Sequence, residues 1–460
     1  MVAYHGKEEV KPMSNQTDLT QGDVRRQLIR YSLPIIASTV MQTVYSLVDL
    51  MVVSRMLGSS GASGVSNSSQ IVLMLTNIAV GLANGGNILV SQYFGSRDKA
   101  RQERVTGTFL TLFTLVGAVV AVGTFLLAGP MLRLISAPAY EEAVAYLRIA
   151  GLGMFFVYFY NCASAVLRAV GNSKQPMRII IITCVLNVAL DLLFVGPLGL
   201  GTAGAALATV ISQGLSCVLA LGYLLKNRDI FSFHRTLLKL NGEDTASILK
   251  LGIPCAVQMT VASISWLTVT FLVNGYGVDC SAASAYAAKV KDLSMMFITS
   301  LINAASVMIA QTLGAGKFDR AKEVLGEAMK LSILISVVLI ALVELCAPLF
   351  ARLFTGDAEV IRIAAFNMRI EIVGQIFYSI FLIYHAMMIG AGDTYMVLVS
   401  SFVNCILFRI ILCTIFNSIW GLTGIFVACA IAPASSIPVG WLYMRSNHWR
   451  RSIARRQEET

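Results

Sequence analysis

Charged side chains are scarce in this sequence. They make up 13% of its 460 residues, and hydrophobic residues make up 56%, whereas roughly 25% of the residues in a soluble domain are charged. The charges are confined to short intervals between apolar runs of about 20 residues, the length that crosses a bilayer as a helix. The composition therefore excludes a water-soluble globule and predicts an all-α integral membrane protein.

Motifs for catalysis and cofactor binding are also missing. The sequence contains no G-x-x-x-x-G-K-[ST] phosphate loop and no H-E-x-x-H zinc motif, and its nine cysteines show no C-x-x-C spacing. These absences argue against ATP hydrolysis and a zinc site, and they favour cysteines that are small buried side chains over disulfides or a metal cluster. A membrane-embedded enzyme would need a concentrated catalytic motif, such as paired Asp-rich metal sites. We therefore expect neither enzymatic activity nor a cofactor.

The positive charge has a particular placement. A formal net charge of +10 would suggest nucleic-acid binding in a soluble protein, but here Lys and Arg lie at alternate junctions between the apolar runs. Because these residues are enriched on the cytoplasmic side of membrane proteins, we expect an even number of spans, both termini in the cytoplasm, and a place in the cytoplasmic membrane with no nucleic-acid partner. The polar N-terminal tail lacks the apolar core of a cleavable signal peptide, so the first span should be retained.

The apolar runs predict twelve transmembrane helices, divided by one long polar stretch after the sixth. The expected organisation is a polar cytoplasmic tail at 1–22, a first lobe at 23–225, a cytoplasmic linker at 226–247, a second lobe at 248–444 and a basic tail at 445–460. The expected helices are 28–55, 66–93, 105–133, 141–168, 177–198, 201–225, 248–276, 281–312, 325–352, 361–389, 395–417 and 421–444.

The two halves resemble each other at a shift of about 220 residues. The four ordered matches pair 28–34 with 248–254, 92–95 with 311–314, 171–173 with 392–394, and 201–204 with 421–424. Since each repeat starts on the same side of the membrane, the sequence predicts two six-helix lobes related by a pseudo-two-fold axis along the membrane normal. Two lobes around a central cavity are typical of alternating-access transporters, and the repeat disfavours a passive channel.

Acidic side chains within spans mark a candidate site in the first lobe. Asp49 and Asp191 each lie about seven residues before the outer end of their helix, roughly 10 Å deep at 1.5 Å per residue. Thr209 reaches a similar depth, and Asn187 stacks one turn from Asp191. Because an intramembrane carboxylate is costly and marks functional sites, these four residues are expected to bind protons or Na⁺. The alternative is that Asp49 caps a helix end and that Asp191, Asn187 and Thr209 serve helix packing.

The second lobe has a different polar set. Near the position of Asp191 in the repeat stands Arg409, for which Glu371 is a candidate partner, as a structural ion pair or as part of substrate binding. Lys289, Lys291 and Asp292 could also face the cavity. The expected lobes are therefore chemically asymmetric.

Aromatic and methionine clusters, including Tyr158 and Met295, could line an adaptable apolar binding chamber. Contact with lipid or packing within the lobes explains them equally well.

Together these residues resemble a known family of transporters. The motifs Leu33-Pro34, Val48-Asp49, Ser91-Gln92-Tyr93-Phe94-Gly95, Asn187-x-x-x-Asp191 and Gly204-Ala205-Ala206-x-Ala208-Thr209, with their partial recurrence after Lys250, are similar to those of the multidrug and toxic compound extrusion (MATE) family. The resemblance covers nearly all of the chain between about residues 26 and 443.

The resemblance implies a transporter that exchanges organic, often cationic, compounds or drugs for H⁺ or Na⁺ and works as a monomer among membrane lipids. It also implies that Asp49, Asn187, Asp191 and Thr209 form the ion-binding group of the first lobe. Some relatives carry acidic residues in the seventh helix where this chain has Gln258 and Ser263. The alternative function is a flippase for lipid-linked saccharides, which would need a strongly cationic cavity.

Overall fold

The computed structural model describes residues 18–134, 139–227 and 239–450, and within these ranges the secondary structure is helical with no β-strand. Eleven helices are long and apolar enough to cross a membrane, and a bent pair adds a twelfth, which confirms the predicted fold class. The spans are α1 Val24–Leu57, α2 Ser63–Ser96, α3 Lys99–Leu134, α4 Tyr140–Ala169, α5 Lys174–Val195, α6 Gly201–Lys226, α7 Gly242–Asn274, α8 Val278–Gly314, α9 Phe318–Arg352, α10 Ala358–Val373 with Gln375–Ala391, α11 Thr394–Trp420 and α12 Leu422–Arg445. The backbone stays helical from Val24 to Ser96 through the junction of α1 and α2.

Several helices begin earlier than their apolar runs. We expected α7 to begin at residue 248, but it begins at Gly242, where the side chain of Asn241 accepts a hydrogen bond of 3.1 Å from the backbone N–H of Asp244. A polar capping residue of this kind satisfies the free N–H groups of the first turn. The helix therefore extends past the membrane-length apolar run, and residues 242–247 of the expected linker belong to α7. Residues 228–238 of that linker lie outside the described residues.

Three spans of the second half are irregular. Helix α10 bends by 43° beside Gly374, where a Cβ atom would overlap the backbone of Ala430 in α12. Helix α11 contains a π-helical stretch, Val403–Ile410. Helix α12 tightens into a 3₁₀ segment, Ala432–Ser436, at a proline that cannot donate a backbone hydrogen bond. We expected each of these spans as a single regular helix because their apolar runs are continuous.

Within each half the helices pack chiefly on one another, with α4 central to the first half and α8 and α10 central to the second. The two halves meet where α1 and α2 contact α7 and α8. The close contacts lie toward one face of the bundle, where α1 begins and α12 ends, which we call the terminal face. There Gly85 lies against Gly252, and Gly95 lies against Gln311, so closely that a Cβ atom on either glycine would overlap the opposite backbone. Because glycine has no side chain, the backbones of the two lobes can make direct contact at these positions.

The segment before α1 reaches across to the second half. The guanidinium of Arg320, in the first turn of α9, donates to the backbone carbonyls of Leu19, Gln21 and Gly22 and to the side chain of Gln27. Leu19 itself is fully buried in the apolar core that includes residues of α8 and α9. The start of the first half is therefore held on the second half at the terminal face.

Candidate functional site

Two carboxyl groups meet inside the first lobe. The side chains of Asp49 in α1 and Asp191 in α5 lie within hydrogen-bonding distance of each other. Asp191 is fully buried, and each residue has a buried Oδ1 atom without a hydrogen-bond partner among the described residues. Two carboxyl groups hydrogen-bond only when one of them carries a proton. The pair can therefore hold a proton between two helices, with two oxygens still able to accept.

Asn187 ties α5 to α6 at this pocket. With its amide oriented to suit its neighbours, it donates to Asp191 Oδ2 at 3.2 Å, and its oxygen accepts from the backbone N–H of Thr209 at 3.3 Å. The hydroxyl of Thr209 donates to the carbonyl of Ala205 on its own helix at 3.1 Å, which leaves its oxygen able to accept. The structure thus places the four expected residues around one point, with Asn187 orienting Asp191.

Two tyrosines that the sequence analysis missed lie beside the acidic pair. The charge of Asp49 acts on the phenols of Tyr45 and Tyr146, and Ser69 lies beside the Tyr146 hydroxyl. Tyr45 precedes Asp49 by four residues, so the i, i+4 rule could have placed both on one face of α1. Tyr146 lies on α4, and its position in sequence carries no comparable signal.

The pocket is enclosed by apolar side chains. Val53, Ala205 and Ala206 are fully buried beside it in a cluster contributed by α1, α2, α4, α5 and α6. At Gly204 a Cβ atom would lie 3.1 Å from the carbonyl oxygen of Phe194, so the absence of a side chain allows α6 to approach the end of α5. In such surroundings the interaction between charges is stronger than in water.

The polar residues of the second lobe are arranged differently from our expectation. Glu371 in α10 pairs with Lys291 in α8 at 2.7 Å, so the expected pair of Glu371 with Arg409 is wrong. Both cations instead lie on one indole ring: Lys291 Nζ is 3.5 Å and Arg409 Cζ is 4.5 Å from the ring centre of Trp266. The rotation of α8 about its own axis places Lys291 next to the carboxylate of Glu371. The spacing of polar residues in the sequence does not determine this rotation.

The remaining candidates have distinct positions. Lys289 and Asp292 are exposed on α8, and Met295 is half-buried. Tyr158 is only 1% exposed, donates to the carbonyl of Leu75 at 3.2 Å and packs against Phe113. Tyr158 is therefore part of the first-lobe core rather than of an exposed chamber wall.

The burial pattern shows which second-lobe residues occupy the positions of the acidic pocket. The buried residues of α5 and α11 pair when a fixed number is added to the α5 residue number. That number is 221 up to the pair Cys184 and Cys405. It is 222 for the next pairs, Asn187 with Arg409 and Asp191 with Cys413. The π-helical stretch supplies the extra residue, as one residue inserted into an α-helix does. The Asp191 position is then taken by Cys413.

The other two positions lie in regular α-helical stretches, in α7 and in α12 before its 3₁₀ segment. Helices α1 and α7 match at a shift of 220, which pairs Asp49 with Val269, and α6 and α12 match at the same shift, which pairs Thr209 with Cys429. Val269, Cys413 and Cys429 are buried together in one cluster. None of these matched second-lobe positions therefore carries a carboxylate.

Comparison with known proteins identifies the family. The family model MatE matches residues 34–193 and 254–415, one segment in each half. The chain belongs to the MatE family. This confirms the resemblance, and MATE proteins are transporters rather than enzymes.

Relatives of this MatE protein match most of its length. A probable multidrug resistance protein of Bacillus subtilis, YoeA, is 33% identical over 74% of this chain and 76% of its own length. A second from the same organism, YpnP, is 27% identical over 94% of this chain and 97% of its own. The multidrug export protein MepA of Staphylococcus aureus is 23% identical over 89% and 91%.

Solved structures share the fold. A structure described as the outward-facing conformation of a multidrug resistance MATE family transporter of the MOP superfamily is 23% identical, with a TM-score of 0.89 over 96% of this chain and 100% of that chain. A MOP superfamily transporter from Pyrococcus furiosus, described as having a binding pocket of reverse polarity, has the same identity and TM-score over 95% and 98%. At this identity the likeness shows the two-lobe, twelve-helix fold.

Proposed function

We propose that this MatE protein is a secondary active multidrug exporter that exchanges organic, cationic compounds for protons across the cytoplasmic membrane. Three relatives that match most of its length carry names of multidrug resistance or export proteins. The observation that carries the coupling proposal is that the carboxyl groups of Asp49 and Asp191 lie within hydrogen-bonding distance of each other. The protein works as a monomer surrounded by lipid.

The geometry of the acidic pair favours a proton over Na⁺. A direct carboxyl–carboxyl hydrogen bond uses a proton, whereas a sodium ion would separate the two groups and require several oxygen ligands. While the two carboxyl groups share a proton, the free oxygens at this point are the two Oδ1 atoms of Asp49 and Asp191 and the hydroxyl of Thr209. Three oxygens form a sparse cation site, so Na⁺ is the less well supported coupling ion.

The contacts between the lobes support alternating access. The close approaches of Gly85 to Gly252 and of Gly95 to Gln311 lie toward the terminal face, which means that the bundle is closed there. The positive-inside rule assigns this face to the cytoplasm, because the ends rich in Lys and Arg, such as Arg97 to Arg104, lie on it. The conformation is then closed toward the cytoplasm, and proton binding at the acidic pair would change the balance between this state and one open to the cytoplasm.

The flippase alternative is less well supported. It depends on free cations in the central cavity, but Lys291 is paired with Glu371 and Arg409 is only 2% exposed. Lys289 has the acidic residue Asp292 one helical turn away on the same exposed side of α8. These cations do not form the continuous basic surface that a pyrophosphate group would need.

Transport by the purified protein in lipid vesicles tests the proposal. A pH gradient and a Na⁺ gradient are imposed separately, and the movement of ethidium, a fluorescent cation, is followed. We expect movement driven by the pH gradient and little response to Na⁺. Asp49→Asn and Asp191→Asn should each reduce the proton-driven rate at least tenfold, because an amide cannot bind and release the proton.

Asp279→Asn is the matched control, since this aspartate is exposed in the first turn of α8 at the opposite face and should leave the rate unchanged. Undiminished proton-driven transport in both pocket variants would refute the coupling assignment. If only the Na⁺ gradient drives transport, the coupling ion is sodium and not the proton, bound at the same site.

A further inference from the structure

A pair of thiols occupies the second-lobe counterpart of the acidic pocket. Cys413 in α11 and Cys429 in α12 take the positions of Asp191 and Thr209, and their sulfur atoms are 3.8 Å apart. Cys413 is fully buried and Cys429 is 7% exposed. The sulfurs belong to neighbouring antiparallel helices, so the pair is fixed by the packing of α11 on α12 and not by a local turn.

A cation without an acceptor lies next to the thiols. Arg409 is one turn before Cys413 on α11, and its charge acts on the Cys413 thiol. Its Nε and Nη1 atoms are buried and have no hydrogen-bond partner in the described part of the chain. Because the guanidinium is always charged, its burial calls for a negative charge or acceptor close by.

The other charges of the cluster do not meet this need. Glu371 is paired with Lys291 at 2.7 Å, so these two neutralise each other. Arg409 lies over the face of the Trp266 ring. The ring attracts the cation, but it has no oxygen or sulfur atom that could accept the Nε–H and Nη1–H groups. The cluster therefore carries one uncompensated positive charge, that of Arg409, which lies beside the Cys413 sulfur.

We propose that Cys413 and Cys429 form a binding site for a soft monovalent metal ion of the Cu(I) class, with Arg409 supplying the balancing charge. Thiolate sulfur is the ligand type that selects Cu(I) over the hard cations. On binding, each thiol loses its proton to water and each sulfur forms one bond to the metal. The two thiolates contribute two negative charges, and the metal ion and Arg409 contribute one positive charge each, so the buried site is neutral.

The geometry requires little movement. With the zinc–thiolate distance of roughly 2.3 Å as an upper guide, the sulfurs of a linear site lie at most about 4.6 Å apart, which exceeds the present separation of 3.8 Å by less than 1 Å. Both cysteines lie seven residues from the ends of their helices at the face opposite the terminal face, about 10 Å deep at 1.5 Å per residue. In the first lobe the same level holds the proton pair, so the two lobes bind different cations at equivalent positions.

Cu(I) binding to the reduced, detergent-purified full chain tests this inference without any transport measurement. Bathocuproine disulfonate serves as the competing chelator under anaerobic conditions, and X-ray absorption reports the ligands. We expect one tightly bound Cu(I) per chain with two sulfur ligands. Cys413→Ser and Cys429→Ser should each weaken binding at least a hundredfold, and Arg409→Gln should weaken it about tenfold.

Cys255→Ser is the matched control, because this cysteine is 2% exposed on α7 and should leave the affinity unchanged. If the serine variants fail to fold, the absorption spectrum of the unaltered chain still decides, since more than two sulfur ligands or a nitrogen ligand would overturn the site. Equal Cu(I) affinity in the folded Cys413 and Cys429 variants would also overturn it. So would a reduced chain that binds no Cu(I) and forms a Cys413–Cys429 disulfide in air.

Discussion

Gln92 and Gln311 donate hydrogen bonds in opposite directions across the interface between the lobes. Gln92, near the end of α2, donates to the carbonyl of Gly390 at 2.9 Å, and Gln311, near the end of α8, donates to the carbonyl of Ala169 at 2.6 Å. The donors are equivalent in the repeat, and so are the acceptors at the ends of α10 and α4. The sequence repeat therefore produces a symmetric pair of bonds that joins the lobes at the terminal face.

Replacing both glutamines by alanine should favour opening at this face. Each neutral hydrogen bond contributes about 0.5–1.5 kcal/mol, so the loss of both should shift the balance between the states by about 1–3 kcal/mol, or roughly 5- to 150-fold. Hydrogen exchange of the amides at 88–98 and 307–317 measures the opening, and we expect faster exchange in both segments.

Asn87→Ala is the control for the glutamine variants. Asn87 lies on the same helix as Gln92, but it donates at 2.7 Å to the carbonyl of Ala165 within its own lobe. Its loss should leave exchange at 307–317 unchanged. If the control and the double variant accelerate exchange equally in that segment, the glutamines have no special part in holding the lobes together.

A methyl group at the lobe interface should destabilise the closed state. In Gly95→Ala the new Cβ would overlap the backbone of Gln311, and in Gly314→Ala it would overlap the backbone of Gln92. We expect each to cost about 1–3 kcal/mol, as overpacking does, and to lower the thermal unfolding midpoint. Gly123→Ala in α3 meets no atom within 4 Å and should gain about 0.5–1 kcal/mol from higher helix propensity. Similar midpoints in all three variants would contradict the close contact.

Periodicity and depth in the sequence were sufficient to predict that Asp49 and Asp191 lie together. Both residues lie at one level, and the cost of exposing a carboxylate to lipid directs each toward the lobe interior. The extra residue of α11 could not be found in this way. The repeat shift is 221 at Gly171 and Gly392 and 220 at Gly201 and Gly421, because the connection after α11 is two residues shorter and so conceals the one-residue insertion. Burial on one helix face, which needs coordinates, is what identifies Arg409 as the counterpart of Asn187.

Deleting Phe408 should therefore be tolerated. Phe408 is 43% exposed in the π-helical stretch, and removing it should restore a regular α-helix with Arg409 and Cys413 still on the buried face. Deleting Ile415, which is 47% exposed in the regular part of α11, is the control. That deletion should rotate the rest of the helix by about 100° and break the hydrogen bond of Asn417 with Tyr276.

The yield of monomeric protein in size-exclusion chromatography and the thermal unfolding midpoint measure both deletions. We expect the chain without Phe408 to stay near the full-length values and the chain without Ile415 to aggregate. If both deletions are equally damaging, the π-helical stretch is not a one-residue insertion in an otherwise equivalent helix.

Arg320→Ala should release the segment that precedes α1. The guanidinium binds carbonyls of Leu19, Gln21 and Gly22 at 2.7–3.3 Å, whereas the amine of Lys317, just before α9, reaches only Thr20 in this segment. Trypsin cleaves after Arg25 and Arg26, which are exposed at the start of α1. Cleavage there requires local opening, so the variant should be cut several times faster than the unaltered chain, as measured by mass spectrometry. Lys330→Ala is the control, because it removes an exposed ion pair with Glu327 on the same helix and should not alter the cleavage rate. Equal cleavage rates in the unaltered chain and both variants would show that Arg320 does not hold the segment.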